Sequence, residues 1–280
     1  MSALRLGGYR RAVVIPIDAG VRARTERIEL PWNARGFDPY GISQSHVAEM
    51  FTLFSLLYRH YFRVRTFGVE HIPTHGRAMI IGNHSGGIAV DGAMVITSAF
   101  LEMDPPRLAQ GMAEKFINRM PFASLYSMRT GQFTGLPETA ERLLNEERLL
   151  MVFPEGARGT AKLYWERHSL VDFGTGFMRL AMKTRTPIIP AGILGGGEAV
   201  PTVVNSETLG RLVGAPYVPF TPYLLPLPLP AKMEIRYGAP MRFEGTGNED
   251  DDVVGAHVDE VKRAVAALMA EGIRTRERAQ

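Results

Sequence analysis

The sequence lacks cysteine, and its 280 residues carry a formal net charge of only +3. The absence of cysteine excludes disulfide bonds, thiolate metal sites and a cysteine nucleophile. The small excess of positive charge suits anionic partners but is too weak to indicate nucleic-acid binding, and we expect none. Neither the G-x-S-x-G pattern of a serine hydrolase nor an internal repeat occurs in the chain.

Long hydrophobic runs are also missing. No apolar run reaches the roughly 18–20 residues that cross a bilayer. The apolar run at residues 12–15 stops at Pro16 and is too short for the core of a signal peptide. We therefore expect a cytoplasmic protein. Hydrophobic residues make up 45% of the chain and charged residues 22%, which is typical of a globular protein with a sizeable core.

Short apolar runs alternate with helical patterns from residue 78 onward. The predicted strands are residues 78–82, 107–113, 149–153, 187–193 and 233–237. The predicted helices are residues 91–102, 116–128, 137–147 and 173–184, and a final helix with apolar positions from Val254 to Met269. This alternation predicts a three-layer α/β/α fold with a largely parallel central sheet. We expect residues 66–280 to form that domain, after an N-terminal arm and an amphipathic helix in residues 1–65.

Two apolar segments each allow two interpretations. Between residues 42 and 65, apolar side chains recur at helical spacing and arginines collect near the end. Such a helix either packs on the domain, which we favour, or lies in a membrane interface. Residues 216–231 read PYVPFTPYLLPLPLPA and hold too many prolines for a regular helix or a central strand. They form either an extended cover over the core or an exposed apolar loop that touches lipid.

A histidine stands between a predicted strand and a predicted helix in IIGNHSGGIAVDGAM, residues 80–94. Ligands of open α/β sheets bind at this carboxyl edge of the strands. Gly86 and Gly87 allow a tight turn that would bring Asp91 back to the imidazole of His84. A carboxylate on one ring nitrogen leaves the other free to accept a proton from a hydroxyl. The alternative is a capped turn in which Asp91 merely begins a helix.

A second group of polar residues follows the strand in LLMVFPEGARGTAK, residues 149–162. Arg158 and Lys162 supply positive charge on a loop, where a guanidinium can bind a phosphate through two parallel hydrogen bonds. Glu155 would hold Arg158 or accept a bond from a substrate hydroxyl. The alternative is a surface turn with a local ion pair.

Taken together, Asn83, His84, Asp91 and the segment FPEGAR (Phe153 to Arg158) resemble the motifs of the PlsC-like glycerolipid acyltransferase family. The stretches GQFTGLPETAERLL (131–144), VDFGTGFMRLA (171–181) and TPIIPAG (186–192) resemble further pieces of that family in the same order. The resemblance covers roughly residues 65–240, and it implies that residues 66–280 are a PlsC-like acyltransferase domain.

The resemblance implies a role for each motif residue. His84 would be the general base that deprotonates an acceptor hydroxyl, and Asp91 would orient it. Four residues would bind the acceptor, with the arginine on its phosphate: Glu155, Gly156, Arg158 and Lys162. The partners would be acyl-CoA or acyl-carrier protein, a glycerol phosphate, lysophospholipid or related lipid, and a membrane surface. The resemblance implies no metal, no redox cofactor and no covalent intermediate. It places the protein in phospholipid biosynthesis, attached peripherally to the inner face of the membrane.

Three positions depart from the family's pattern. Six residues, Ser85 to Val90, separate His84 from Asp91, where four are usual. The second motif lacks its usual arginine near Gly135, and Gly159 replaces the serine that usually follows the arginine of the third. The last two departures weaken the case for glycerol 3-phosphate or lysophosphatidic acid as acceptor. Two other functions remain open, a non-catalytic lipid-binding relative and, less favoured, a serine lipid hydrolase with Ser85 as nucleophile.

Overall fold

The computed structural model describes residues 16–113 and 121–278, which contain a central sheet with helices on both faces. The strands are β1 Arg65–Phe67, β2 Ala78–Gly82, β3 Ala109–Ala113, β4 Phe133–Thr134, β5 Leu149–Val152, β6 Ile188–Leu194, β7 Val204–Ser206, β8 Val218–Phe220 and β9 Glu234–Tyr237. The α-helices are α1 Ala19–Glu26, α2 Gln44–Leu56, α3 Val90–Glu102, α4 Pro121–Arg129, α5 Pro137–Asn145, α6 Ala157–Thr160, α7 Gly176–Thr184, α8 Gly196–Ala199, α9 Glu207–Val213 and α10 Asp251–Glu277.

The main sheet has seven strands in the order β1-β9-β6-β2-β5-β3-β4. Neighbouring strands are parallel except β6 and β9, which run antiparallel. The central strand β2 is buried along its whole length, because helices cover both faces of the sheet. Strands β7 and β8 pair separately as an antiparallel ribbon. The predicted fold class, a three-layer α/β/α arrangement around a largely parallel sheet, is confirmed.

Side chains alternate along β2 and therefore contribute to two cores on opposite faces of the sheet. Ile80 belongs to the core formed with α2 and α3, where the rings of Phe51 and Phe100 stack with centroids 3.8 Å apart. Met79 and Ile81 belong to the other core, which α5, α7 and α10 cover. Each fully buried side chain of this size contributes about 1.5–3 kcal/mol of transfer free energy. The layered packing holds the carboxyl ends of β2, β5 and β6 in fixed positions.

The amphipathic helix predicted between residues 42 and 65 is α2, which continues into a π-helical turn at Leu57–Tyr61. Val47 and Phe51 are fully buried, so the helix packs on the domain as favoured above. Leu53 and Leu56 nevertheless remain 46% and 54% exposed, which leaves an apolar strip on the outer side of the helix. The division of the chain between residues 65 and 66 stays a prediction, since α2 shares its core with α3.

Most other predicted elements lie within a few residues of their observed bounds. The strand predicted at 107–113 begins at Ala109, and the helix predicted at 137–147 ends at Asn145. The helix predicted over 116–128 falls partly outside the described residues, and α4 begins at Pro121. Among the helices that the structure describes, none combines the length and the apolar character needed to cross a bilayer.

The proline-rich segment at residues 216–231 is not a cover over the core. Residues Val218–Phe220 form β8, and the residues that follow form an irregular loop. Leu224, Leu225 and Leu227 in that loop are 70%, 60% and 61% exposed. Of the two interpretations drawn from the sequence, the structure shows the exposed apolar loop, and its contact with lipid stays a prediction.

Candidate active site

The candidate site begins where β2 ends. Asn83 follows the strand and is fully buried, and its side-chain amide pairs with the backbone of Ile193 on β6. Asn83 Nδ2 donates to the Ile193 carbonyl at 2.9 Å, and the Ile193 amide donates to Asn83 Oδ1 at 2.7 Å. These two bonds continue the pairing of the strands by one residue, so His84 leaves the sheet at a fixed point on its carboxyl edge.

His84 and Asp91 are in hydrogen-bond contact despite the six-residue spacer. His84 Nδ1 lies 2.9 Å from each of the two Asp91 carboxylate oxygens. The carboxylate is fully buried and also accepts bonds from the backbone amides of Ser85 and Gly92, both at 2.8 Å. Asp91 lies in the first turn of α3, where the helix dipole favours a negative charge. The sequence therefore brings the two residues together, with the aspartate positioned by three donors.

The spacer closes through two glycines with left-handed backbone angles. Gly86 has φ 92° and Gly87 has φ 67°, a region that favours glycine. A Cβ on Gly86 would lie 2.3 Å from the Gly196 carbonyl oxygen, and a Cβ on Gly87 would lie 2.7 Å from Thr202 Oγ1. The two extra residues of the spacer are thus accommodated in a turn that presses against the segment after β6.

The imidazole of His84 packs against an aromatic ring. It stacks on the ring of Phe153, with centroids 4.1 Å apart and planes inclined by 10°. Its side chain is 10% exposed, and within the described part of the chain no group forms a hydrogen bond with Nε2. One ring nitrogen is therefore oriented by a carboxylate, and the other is available at the edge of the sheet.

Glu155 and Lys162 form a buried ion pair behind the histidine. Lys162 Nζ donates to Glu155 Oε2 at 2.8 Å and to the Ser169 carbonyl at 2.9 Å. Glu155 in turn accepts the backbone amide of His84 at 2.9 Å and that of Val171 at 3.0 Å. The exposed fractions of the two residues are 2% and 4%. This geometry favours a positioning role for both residues over direct substrate binding.

Gly156 and Arg158 occupy the outer side of the same loop. Gly156 has φ 56° and ψ −148°, and a Cβ built there would meet no atom within 4 Å. Arg158 is exposed, and its guanidinium donates to the Asp172 carbonyl at 2.9 Å. The remaining guanidinium donors have no hydrogen-bond partner among the described residues. The four residues predicted to bind the acceptor are thus divided into a buried pair and an accessible pair.

A family model described as Acyltransferase matches residues 63–194, which include His84, Asp91 and the FPEGAR segment. This match identifies residues 63–194 as an acyltransferase-family domain. The matched range begins just before β1 and ends at the last residue of β6, so the family domain contains the strands that carry the candidate site.

The chain is also similar in sequence to uncharacterized relatives and in fold to a solved structure. Proteins from Mycobacterium bovis and Mycobacterium tuberculosis, both described as uncharacterized, are 33% identical over 241 residues. The match covers 82% of this chain and 66% of each relative, so the chain spans slightly less than two thirds of their length. The crystal structure of the 1-acyl-sn-glycerophosphate (LPA) acyltransferase PlsC from Thermotoga maritima has the same fold. Its TM-score is 0.53 at 20% identity, and the match covers 80% of each chain.

Close packing around His84 also accounts for one departure from the motif. A Cβ on Gly159 would lie 2.8 Å from the Cβ atoms of both His84 and Glu155. The serine usual at this position would collide with both residues, so glycine is required by the close packing of α6 on the histidine. The sequence alone suggests only that Gly159 lacks the hydroxyl of the usual serine. It does not indicate that the ring of Phe153 stacks against His84.

A further carboxyl lies just after β6, on α8. Glu198 Oε1 accepts bonds from His168 Nε2 at 3.1 Å and from Arg167 Nε at 3.3 Å. Burial alone would raise the pKa of the Glu198 carboxyl, but hydrogen bonds from His168 and from its own amide, with the charges of His168 and Arg276, lower that pKa to about 2. No sequence pattern predicts this cluster, because its members are far apart along the chain.

Proposed function

We propose that this protein transfers a fatty acyl group from a thioester donor to a hydroxyl of a lipid or glycerol-type acceptor. The observation that carries the proposal is the contact of His84 Nδ1 with the buried Asp91 carboxylate, 2.9 Å away, beside a free Nε2. A histidine held in this way has the geometry of a general base. The match of residues 63–194 to the Acyltransferase family model supports the reaction class.

In the proposed reaction, Asp91 accepts the Nδ1–H bond and so keeps Nε2 unprotonated. Nε2 takes the proton from the acceptor hydroxyl, and the oxygen attacks the thioester carbonyl to form a tetrahedral intermediate. When the intermediate collapses, the carbon–sulfur bond breaks and the protonated His84 returns its proton to the departing thiolate. The products are an acyl ester and a free thiol, either coenzyme A or the carrier protein. We propose that no metal, redox cofactor or acyl-enzyme takes part.

The other motif residues support this reaction in two ways. Glu155 and Lys162 position the base, because the carboxylate of Glu155 accepts the backbone amide of His84. Gly156 and Arg158 face outward and would bind the acceptor, with the free donors of Arg158 on a phosphate. Glycerol phosphates, lysophospholipids and related lipids are the proposed acceptors. The missing arginine of the second motif favours acceptors with a headgroup other than that of lysophosphatidic acid.

The two other functions receive less support. A non-catalytic lipid-binding relative would not need a histidine held by a fully buried carboxylate, so the short contact between His84 and Asp91 favours catalysis. A serine hydrolase would need Ser85 to approach the free ring nitrogen. Ser85 is only 3% exposed, and no hydrogen bond among the described residues joins its hydroxyl to His84.

We further propose a peripheral location on the inner face of the membrane and a role in phospholipid biosynthesis, since donor and acceptor are both amphiphiles. Fractionation of cells tests the location. Recovery of the protein in the membrane fraction, with release by high salt or carbonate, is the expected result. Recovery entirely in the soluble fraction would contradict it.

The reaction is tested by incubating the protein with one long-chain acyl-CoA, or the matching acyl-carrier protein, and a panel of lipid acceptors. Products are identified by lipid mass spectrometry. We expect His84→Ala to lower kcat by about 10²–10⁴-fold, the contribution typical of a general base. His75→Ala is the matched control, because His75 is exposed and, among the described residues, forms an ion pair with Glu29 alone. Unchanged turnover in His84→Ala would contradict the proposed mechanism.

A further inference from the structure

We infer that residues 200–231 are a bilayer-docking element, which inserts leucines into an anionic lipid surface and is hydrogen-bonded directly to the catalytic turn. This inference rests on the proposed function, because it identifies how the active site meets a lipid acceptor. The element leaves the main sheet after α8 and returns to it at β9. It contains the ribbon β7–β8, helix α9 and the leucine–proline loop of residues 221–231.

The element exposes several large apolar side chains within a short stretch of the chain. Leu212 and Val213 at the end of α9 are 81% and 65% exposed. In the loop, three leucines are 60–70% exposed, namely Leu224, Leu225 and Leu227. Exposed large apolar residues that lie this close together along the chain indicate an interaction surface, whereas scattered single leucines are the ordinary case. The exposed Leu53 and Leu56 of α2 precede Tyr61, whose hydroxyl donates to the Pro228 carbonyl at 2.6 Å.

The loop is held in the conformation that exposes its leucines. Thr221 Oγ1 donates to the Leu225 carbonyl at 2.8 Å, and the Tyr223 hydroxyl donates to the Leu227 carbonyl at 2.7 Å. The Leu229 amide donates to the Ala199 carbonyl at 2.7 Å. Four prolines in residues 221–231, at positions 222, 226, 228 and 230, restrict the backbone further. The leucines are therefore presented outward before any contact with lipid, and little ordering entropy remains to be lost on docking.

The charge of the element fits an anionic headgroup layer. Residues 200–232 contain one acidic residue, Glu207, against Arg211 and Lys232, both of which are exposed. Arg63 adds a third cation beside the loop, where it donates to the Pro230 carbonyl at 2.6 Å. Cations around an apolar cluster attract a surface of anionic lipids while the leucines enter the acyl boundary. A bilayer with anionic lipids provides both a negatively charged headgroup layer for the cations and an apolar layer for the leucines.

The same element touches both motifs of the candidate site. The Tyr217 hydroxyl donates to Thr160 Oγ1 on α6 and contacts the Gly87 carbonyl at 3.4 Å. Asn205 Nδ2 donates to the Ala161 carbonyl at 2.6 Å. Pro219 packs on Gly87, where a Cβ would lie 3.0 Å from Pro219 Cβ. Docking of the leucines therefore fixes the distance of His84 from the lipid surface.

The test measures binding to vesicles of phosphatidylcholine and phosphatidylglycerol by sedimentation. The variant carries Leu212→Ser, Leu225→Ser and Leu227→Ser, which remove exposed side chains and leave the core intact. We expect the partition coefficient to fall by about tenfold for each leucine, because about 1.4 kcal/mol of apolar burial is lost with each side chain. Leu136→Ser with Val253→Ser is the matched control, because those residues are 47% and 46% exposed outside the element.

A second pair of substitutions tests the charge. Arg211→Gln and Lys232→Gln are expected to weaken binding by about fivefold each on anionic vesicles, and not on pure phosphatidylcholine. Binding of the triple leucine variant within twofold of the parent protein would overturn the inference. Loss of a dimer in the triple variant, measured by analytical ultracentrifugation without lipid, would also overturn it, because the leucines would then cover a second copy of the chain.

Turnover separates this inference from the proposed reaction. The triple variant is expected to lose activity on an acceptor in vesicles in proportion to its loss of binding, and to keep full activity on a short-chain acceptor dissolved below its micelle concentration. Equal loss on both acceptors would overturn the docking role. Vesicle binding itself is measured without turnover, so it is decided independently of the result for His84→Ala.

Discussion

The backbone amide of His84 donates a hydrogen bond to Glu155 Oε1 at 2.9 Å. The carboxylate of the FPEGAR segment thus holds the main chain of the residue that we propose as the base. Lys162 neutralises that carboxylate at 2.8 Å, and the pair is almost completely buried. The two sequence motifs are therefore one structural unit, in which the second fixes the position of the first.

Removal of the cation from this buried pair is expected to destabilise the protein. Lys162→Met leaves the Glu155 carboxylate buried without a counter-charge, which typically costs about 3–5 kcal/mol. The free energy of unfolding, measured in urea, checks this value. The double variant Glu155→Gln with Lys162→Met is the control, because it removes both charges and keeps an acceptor for the His84 amide. A double variant no more stable than Lys162→Met would contradict the assignment.

Arg158 is expected to affect acceptor binding and not the chemical step. Its guanidinium uses one donor on the Asp172 carbonyl and is otherwise exposed. Arg158→Ala should raise the KM for a phosphate-bearing acceptor by about tenfold or more, since a charge-assisted hydrogen bond contributes about 1.5–3 kcal/mol. The KM for an uncharged acceptor should stay the same. Steady-state kinetics with both acceptors check the difference, and equal KM values for the variant and the parent protein would rule the phosphate role out.

The strands at the centre of the sheet could be predicted because they are buried on both faces. AMIIG is buried at every position, as is IIPAGIL, so each appears in the sequence as an uninterrupted apolar run. The short edge strands give no such signal. Arg65–Phe67 is partly exposed, and Phe133–Thr134 has only two residues, so both were missed.

The site was predictable in its residues but not in its contacts. His84 and Asp91 could be paired as a hypothesis, yet closure of their spacer depends on Gly196 and Thr202, more than a hundred residues away. The sequence also does not predict whether the side chain of Lys162 points into the protein or into solvent. A lysine on a loop has the same sequence pattern whether it faces solvent or a buried carboxylate, and only the fold brings Ser169 and Glu155 around its ammonium.

Asp91→Asn is expected to lower turnover while leaving the fold largely intact. The amide would present a donor toward His84 Nδ1, which favours the tautomer that carries its proton on Nε2 and so cannot act as a base. We expect kcat to fall by about 10²–10⁴-fold. Steady-state kinetics provide the measurement, and circular dichroism controls for folding. An Asn variant with parental kcat would show that the carboxylate does not orient the base.

Gly87→Ala is expected to disrupt the turn that carries the dyad. The residue has φ 67°, and its Cβ would lie 2.7 Å from Thr202 Oγ1, so both the backbone and the packing oppose a side chain. Left-handed backbone costs about 1–2 kcal/mol in a residue with a Cβ, before any collision. Gly255→Ala on α10 is the control, because a Cβ there meets nothing within 4 Å and should stabilise the helix by about 0.5–1 kcal/mol. The melting temperature should fall in Gly87→Ala and rise in Gly255→Ala, and thermal unfolding of both variants measures these changes. Equal shifts of the two melting temperatures would contradict the prediction.

Glu198 is expected to make part of the stability of the protein depend on pH. Because its pKa is lowered from 4.5 to about 2 in the folded state, the carboxylate stabilises the fold above about pH 4.5, and that contribution is lost as the pH falls toward 2. Glu198→Gln should therefore reduce the free energy of unfolding by about 2–3 kcal/mol at pH 7 and by clearly less at pH 3. Urea unfolding at the two pH values measures the difference. Glu260→Gln is the control, since Glu260 is exposed on α10. The free energy of unfolding could instead differ between Glu198→Gln and the parent protein by the same amount at both pH values. That result would mean that His168 and Arg276 do not stabilise the Glu198 carboxylate.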